Sequence, residues 1–143
     1  MSYMVMIKHL EDRLKNKDIR PTAMRLLVLD FLSGSSAAIS LTDLENTFER
    51  SDRITLYRTL KTFQEKGIVH SIDDGTGAPK YALCQEDCTC DFERDMHVHF
   101  HCHTCNDTFC LPKYKITNID LPKNFIPEEA NLVVKGVCAK CAI

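Results

Sequence analysis

The sequence predicts an α+β fold in two units, an N-terminal winged helix-turn-helix over residues 1–84 and a small second unit over residues 97–143, joined by a hinge at 85–96. Three patterns lead there. Apolar residues recur at helical spacing three times between Arg20 and Gly67, and a hairpin signal follows. From His97 the pattern changes to alternation. Two C-x-x-C pairs, Cys102/Cys105 and Cys138/Cys141, lie at the two ends of the second unit.

The 143 residues leave room for one domain with a real core or two small ones leaning on each other. With 44% hydrophobic and 27% charged residues the usage is that of a soluble protein. No apolar run approaches the roughly 20 residues of a membrane helix, so no membrane partner is expected. "MSYMVMIKHLEDRLK" has an apolar patch but neither a basic segment before it nor a small-residue cleavage site after it, and the expected location is the cytoplasm. Thiols are kept reduced there, so the eight cysteines point to metal rather than to a disulfide framework. None of them precedes Cys84. Charge divides the chain similarly, with a net +2 over residues 1–71 and −4 over 72–143, and the change of chemistry falls near "CQEDCTCDFERD".

In "RPTAMRLLVLDFLSG" the positions Met24, Leu27, Val28, Phe31 and Leu32 form a helical stripe, with Thr22 as N-cap and Gly34 just past the end. "SLTDLENTFE" follows as a shorter helix, capped by Ser40 or Thr42, burying Leu41, Leu44 and Phe48. The third helix, "SDRITLYRTLKTFQEKG", is capped by Ser51 or Asp52 and closed by Gly67. Two short helices across a tight polar turn make a helix-turn-helix. "IVHSIDDGTGAPKYALC" adds two short apolar stretches around a glycine- and proline-rich loop, a hairpin that serves as the wing and in this arrangement usually lies along the DNA backbone.

On the third helix Leu56, Leu60 and Phe63 share one narrow face, while Thr55, Arg58, Lys61 and Thr62 point the other way, flanked by Arg53 and Tyr57. Cationic, hydroxyl and aromatic groups near a helix start suit a reader of the DNA major groove: arginine for phosphates or guanine edges, threonine and tyrosine for phosphates and thymine methyls. A solvated helix face is the plainer account, and it leaves the outward Ile54 unexplained.

The second unit alternates His97, His99 and His101 on one face of a strand with Val98 and Phe100 on the other, where they are free to enter a core. A strand whose polar side happens to be rich in histidine would serve as well for His101 or His103. "DTFCL" and "NLVVKGVC" are two further strands, and the intervening "PKYKITNIDLPKNFIPEEA" reads as irregular chain or a short helical turn. Three short strands bury little and need a staple. One C-x-x-C alone could be a redox dithiol. Two of them, Cys102/Cys105 and Cys138/Cys141, suit a closed tetrahedral Zn2+ that fastens the end of the chain across the sheet. A second site built from His97 and His99 with thiolate would suit Zn2+ better than a harder ion.

No enzyme or small-molecule substrate is expected. A zinc deaminase needs H-x-E ahead of P-C-x-x-C, and both are missing. Asn106 follows Cys105 where a c-type haem attachment needs histidine. A C-x-x-C oxidoreductase leaves the first-half helices without a purpose. A metal buffer or chaperone remains the competing reading.

"RPTAMRLLVLDFL", "RITLYRTLKTFQEKGIV", "HVHFHCHTC" and "GVCAKC" resemble, in order and spacing, the ferric uptake regulator family of bacterial metal-responsive repressors, from about residue 13 to 141. The resemblance implies a winged helix, a C-terminal α/β dimerisation domain, and homodimers that grip palindromic double-stranded operators when loaded with metal. It implies that Cys102, Cys105, Cys138 and Cys141 hold the structural zinc and that His97 and His99 belong to the sensor site. Tyr57 and Arg58 match the recognition-helix contacts, and Arg20 and Arg25 fall at basic positions, Arg20 near phosphate. Arg20, Arg53, Thr55, Tyr57, Arg58 and Lys61 make the expected DNA-binding set.

Departures from the family pattern bear on the metal. Where iron and peroxide sensors carry a histidine in the first domain this chain has Ala38, and an acidic sensor ligand is here Cys110. Zinc-sensing members place a cysteine at the end of the wing, as Cys84 does, and often a ligand at its start, as His70 does. The resemblance therefore favours the zinc uptake regulator branch, with His70, Cys84, His97 and His99 as the regulatory ligands and Cys90 and Cys110 as further candidates. Zn2+ is the expected regulatory ion and Fe2+ the alternative, as in an iron- or peroxide-sensing repressor. Cys88 also lies in the hinge.

Overall fold

The computed structural model describes residues 2–84, 97–116 and 119–143. The hinge expected at 85–96, with Cys88 and Cys90, lies outside the described residues. The order is α1 (Tyr3–Lys15), α2 (Ala23–Ser33), β1 (Ile39–Ser40), α3 (Leu41–Thr47), α4 (Arg53–Glu65), β2 (Val69–Ile72), β3 (Lys80–Leu83), β4 (His97–Cys102), β5 (Thr108–Lys115) and β6 (Leu132–Gly136). Among the described residues every helix precedes residue 66 and the second unit is built of strands and turns. No described helix is long and apolar enough to cross a membrane.

Sequence periodicity leaves α1 out. Its first turns carry exposed Tyr3, Met4, Val5 and Met6, and only Leu10 and Leu14 are buried, too few to draw a stripe. Ser2 starts it, accepting from the Val5 N–H. α2 has the expected ends, with Thr22 accepting from the Arg25 N–H and Gly34 as C-cap. Its buried residues are Val28, Leu29 and Leu32, whereas Leu27, expected inside, is 51% exposed. The helix is rotated because it packs against both α1 and α4, which claim the Leu29 side.

Ser40 and Asp43 form a reciprocal capping box at the start of α3 (2.9 and 3.1 Å). Asp52 caps α4, accepting from the Thr55 N–H at 2.8 Å. α4 ends in a Schellman turn: Gly67 is left-handed (φ 81), Ile68 N–H donates to Phe63 C=O at 2.8 Å, and Gly67 N–H donates to Gln64 C=O at 3.3 Å. Leu56, Leu60 and Phe63 lie with Leu10, Leu14, Ile19, Val28, Leu29, Ile68, Val69 and Tyr81 in one core, closed by a three-stranded sheet in the order β1-β3-β2. The strand β1 is too short for a sequence pattern to show; it pairs Ile39 with Tyr81 and Ser40 with Lys80.

The second sheet has the order β5-β4-β6, with β4 antiparallel to β5 and parallel to β6. Its register sets the two faces. Phe100 pairs with Phe109 and Val134, and Val98 with Leu111 and Leu132, which gives one apolar face. His99 pairs with Cys110 and His101 with Thr108, which gives a polar face. The polar face is the one this chain covers. His99 and His101 are buried against the wing, while Val98 and Phe100 are only half-buried and Leu132 and Val134 are exposed. The wing occupies the histidine side, and Val98 and Phe100, free by pattern to enter a core, are partly buried on the opposite side.

Candidate metal centres and reading face

Two groups of donor atoms stand out, each with all four atoms within 4.8 Å of one another. The first is Cys102, Cys105, Cys138 and Cys141. A tetrahedral zinc with Zn–S near 2.3 Å needs sulfurs about 3.8 Å apart, and Cys105 Sγ lies 3.9 Å from Cys138 Sγ. Backbone N–H groups of Cys105 and Cys138 stabilise the Cys102 thiolate against its burial and bring its pKa down to about 5. Cys141, hydrogen-bonded to Cys138 and crowded by the other sulfurs, is pushed up to about 12. Four sulfurs this close cannot all ionise without a cation among them. This cluster fits a closed structural zinc, which joins the turn after β4 to the segment after β6.

The second group is His70, His97, His99 and Cys110, and it spans the two units. His70 comes from β2 of the wing, His97 and His99 from β4, and Cys110 from β5. His99 Nε2 lies 3.2 Å from His70 Nε2, Cys110 Sγ lies 3.4 Å from His70 Nε2, and His97 Nε2 lies 2.8 Å from Cys110 Sγ. Around a tetrahedral zinc two nitrogens sit about 3.4 Å apart and a nitrogen and a sulfur about 3.6 Å. The two contacts of His70 are close to those values, and the His97–Cys110 contact is shorter. Burial, with the neighbouring His97 and His99, lowers the His70 pKa to about 4. Burial also lowers His99 to about 4, helped by His97 and opposed by Asn131. Both rings are therefore neutral at physiological pH, the form that binds a metal.

Cys84 is placed differently from the sequence expectation. Its sulfur lies 3.4 Å from Nδ1 of His70, on the far side of the ring from Nε2, and it is not one of the four converging atoms. The cause is the ladder. Cys84 lies just past the end of β3, where its N–H donates to Ile68 C=O, and this holds it behind the His70 ring. In that position it can accept the Nδ1 proton and leave the Nε2 lone pair facing the cluster. Cys110, named from sequence only as a further candidate, is the sulfur that lies among the four atoms. Cys90 lies outside the described residues.

Sequence reasoning missed a third polar group, made of Asp74, Thr108 and His101. "DDG" reads only as a turn, and a threonine opening a strand carries no signal. Asp74 is 2% exposed. Burial opposes its charge, but hydrogen bonds from Thr108, Thr76 and Lys80 outweigh it and hold the carboxyl well below the usual range. The wing loop is thereby turned toward the second sheet.

The residues expected to read DNA are all exposed: Arg20, Arg53, Thr55, Tyr57, Arg58 and Lys61. Two are engaged locally. Arg53 pairs with Glu45 at 3.1 Å, and the Thr55 hydroxyl donates to Asp52 at 2.8 Å. The Lys61 ammonium lies 5.8 Å from the centre of the Tyr57 ring. Ile54 is 63% exposed on the same side.

Comparisons agree with this architecture. The chain is 24% identical over 152 residues to the peroxide operon regulator of Bacillus subtilis (strain 168), spanning 95% of this chain and 93% of that protein. Among solved structures it is similar to a zinc uptake regulator complexed with zinc and DNA, at TM-score 0.71 and 21% identity over 99% of this chain and 96% of that one. It is also similar to the Vibrio cholerae ferric uptake regulator, at TM-score 0.61 and 20% identity over 90% and 98%. Residues 16–134 match the ferric uptake regulator family, which is most of the chain; the match takes in α2 to β5 and the group His70, His97, His99 and Cys110, and it ends before Cys138 and Cys141. The chain belongs to the ferric uptake regulator family.

Proposed function

We propose that this family member is a zinc-responsive repressor that binds double-stranded operators as a homodimer and controls metal uptake genes. The observation that carries the reading is the donor set His70, His97, His99 and Cys110: three imidazoles and a sulfur, contributed by both units. Such a set favours zinc over ions that prefer oxygen. A bound divalent ion supplies a cross-link whose strength depends on its concentration. The chain's own part is to hold three imidazoles and one sulfur in convergence, so that occupancy favours the posture in which the wing rests on the second sheet.

Reading is assigned to α4, with Tyr57, Arg58 and Lys61 outward, and Arg53, Thr55 and Arg20 at its margins. The partly exposed apolar face of Val98, Phe100, Leu132 and Val134 supports pairing with a second copy, which would place two α4 helices at half-site spacing. The similar zinc uptake regulator, seen in complex with zinc and DNA, supports both parts of the proposal.

A peroxide- or iron-sensing repressor is the second reading, favoured by the similarity to the peroxide operon regulator. Operator binding titrated with Zn2+, Fe2+ and Mn2+ at buffered concentrations separates the two. Zinc restoring binding in the wild type, and failing to do so in His97→Ala, is the expected result. Restoration by Fe2+ alone transfers the assignment to the second reading. Arg58→Ala should abolish operator binding with metal content intact, an outcome that a metal buffer or chaperone would not show.

A further inference from the structure

The wing is tied to the second sheet a second time, one register step from the four-donor group and without any metal-binding pair. The Asp74 carboxylate accepts hydrogen bonds from Thr76 N–H (3.1 Å), Thr76 Oγ1 (2.6 Å), Lys80 Nζ (2.9 Å) and Thr108 Oγ1 (2.6 Å). Thr76 and Lys80 belong to the same hairpin as Asp74, but Thr108 opens β5 and is fully buried. A threonine hydroxyl has one proton. Because Thr108 gives its proton to Asp74, the 2.9 Å contact with His101 runs the other way, and His101 Nδ1–H donates to Thr108 Oγ1. His101 Nδ1 also lies 3.6 Å from Asp74 Oδ2. The result is an ordered chain from β4 through β5 to the wing.

Nearby contacts lie across the same junction. Asn131 Nδ2 donates to Asp73 C=O at 2.9 Å, and Ala38 N–H donates to Thr108 C=O at 2.7 Å. Gly75 takes a left-handed φ of 83°, and a Cβ there would come within 2.7 Å of Lys135 Nζ on β6. The register relates this group to the donors. His99 faces Cys110 and His101 faces Thr108 along the same two strands, while His70 and Asp74 lie four residues apart on the same hairpin.

We infer that Asp74 and Thr108 form a metal-independent clasp that positions His70 against His97, His99 and Cys110 before an ion arrives. The inference deepens the proposed regulatory centre and rests on it. A ring carried on a mobile hairpin would have to be ordered at the moment of binding, at the expense of affinity. With the clasp closed, much of that ordering is already done. Asp74 and Thr108 are thus positioning residues that touch no ion. The buried carboxylate also makes the posture selective: a displaced sheet leaves Asp74 without its Thr108 donor.

The test uses the full chain with its four-cysteine zinc retained and compares the wild type with Thr108→Val, Thr108→Ser and Asp74→Asn. Two quantities are read: amide hydrogen exchange of residues 69–83 after mild chelation, and zinc affinity of the exchangeable site by competition with a chromophoric chelator. In Thr108→Val the wing amides should exchange about tenfold faster without metal, and zinc affinity should fall about tenfold, because ordering of the hairpin is then left to the binding step. Thr108→Ser, which keeps the hydroxyl, should restore both. Asp74→Asn should follow Thr108→Val, which keeps the question open to decision should either variant fold poorly. Wild-type exchange in both Thr108→Val and Asp74→Asn overturns the clasp, and so does faster exchange at unchanged zinc affinity. A wild type with no exchangeable zinc site defeats the regulatory centre instead, while the exchange measurement still decides whether the clasp exists.

Discussion

His99 of the second sheet and His70 of the wing meet Nε2 to Nε2 at 3.2 Å, a contact that is an N–H···N hydrogen bond when one neutral ring carries its proton on Nε2 and that presents two lone pairs to an ion when neither does. Burial resists a second proton in both rings and holds both pKa values near 4. In the unfolded chain the same rings titrate near 6.5. Above pH 6.5 both states are neutral there and the arrangement contributes its full stability. Between about 6.5 and 4 the unfolded chain binds protons that the folded chain refuses, and stability falls as pH falls. Urea unfolding of chelated protein between pH 7.5 and 4.5 should therefore show a midpoint that declines on acidification. A flat profile would contradict the burial of this pair.

Cys110 and Cys84 touch opposite sides of His70 and should differ sharply on mutation. Cys110→Ser removes a converging sulfur and should raise the zinc concentration for half-maximal operator binding by more than 100-fold. Cys84→Ser leaves the four donors in place and should cost about tenfold through the orientation of His70. A zinc titration read by fluorescence anisotropy of labelled operator separates them; equal losses in the two variants would place Cys84 among the donors after all.

Cys138→Ser breaks the closed cluster that holds the end of the chain to the turn after β4. Elemental analysis of the wild type should find one zinc retained through mild chelation and at least one removable metal per chain. The variant should lose the retained zinc together with its cooperative thermal transition, since small zinc-held units depend on the ion to fold. Normal zinc content and normal stability in this variant would rule out the structural role.

Val134 sits at 44% exposure in the middle of an apolar face that also carries Phe100 and Leu132. Val134→Lys puts a charge where a second copy is proposed to pack, and that charge would have no partner to offset its desolvation. Sedimentation should show monomer for this variant at concentrations where the wild type is a dimer, with both metal contents unchanged. A stable dimer would place the interface elsewhere.

Much of this molecule is legible in its sequence because the relevant signals are local. Thr22, Ser40, Asp52 and Gly67 mark helix ends through bonds to residues two to four positions away, and the two C-x-x-C pairs announce a tetrahedral site by spacing alone. Signals that depend on a distant surface are not legible. Leu27 and Leu29 trade places because α1 and α4 decide which edge of α2 is inside. Val98 and His99 alternate as predicted, but nothing along the strand says which face meets the wing. Cys84 and Cys110 are both plausible sulfurs by position, and only the ladder holding Cys84 behind the His70 ring separates them. Asp74 reads as an ordinary turn residue because its essential partner, Thr108, lies 34 positions on.

The segment Ala38–Ser40 is very short for the number of things it touches. Its first residue hangs by its N–H from Thr108 at the start of β5, its middle and last residues zip onto β3, and that last residue also opens α3, the helix that packs against α4. Between β5 and the helices proposed to lie against the double helix there is almost no slack in which a displacement could be absorbed. The molecule is geared: a small slip of β5 has to emerge at the root of α3.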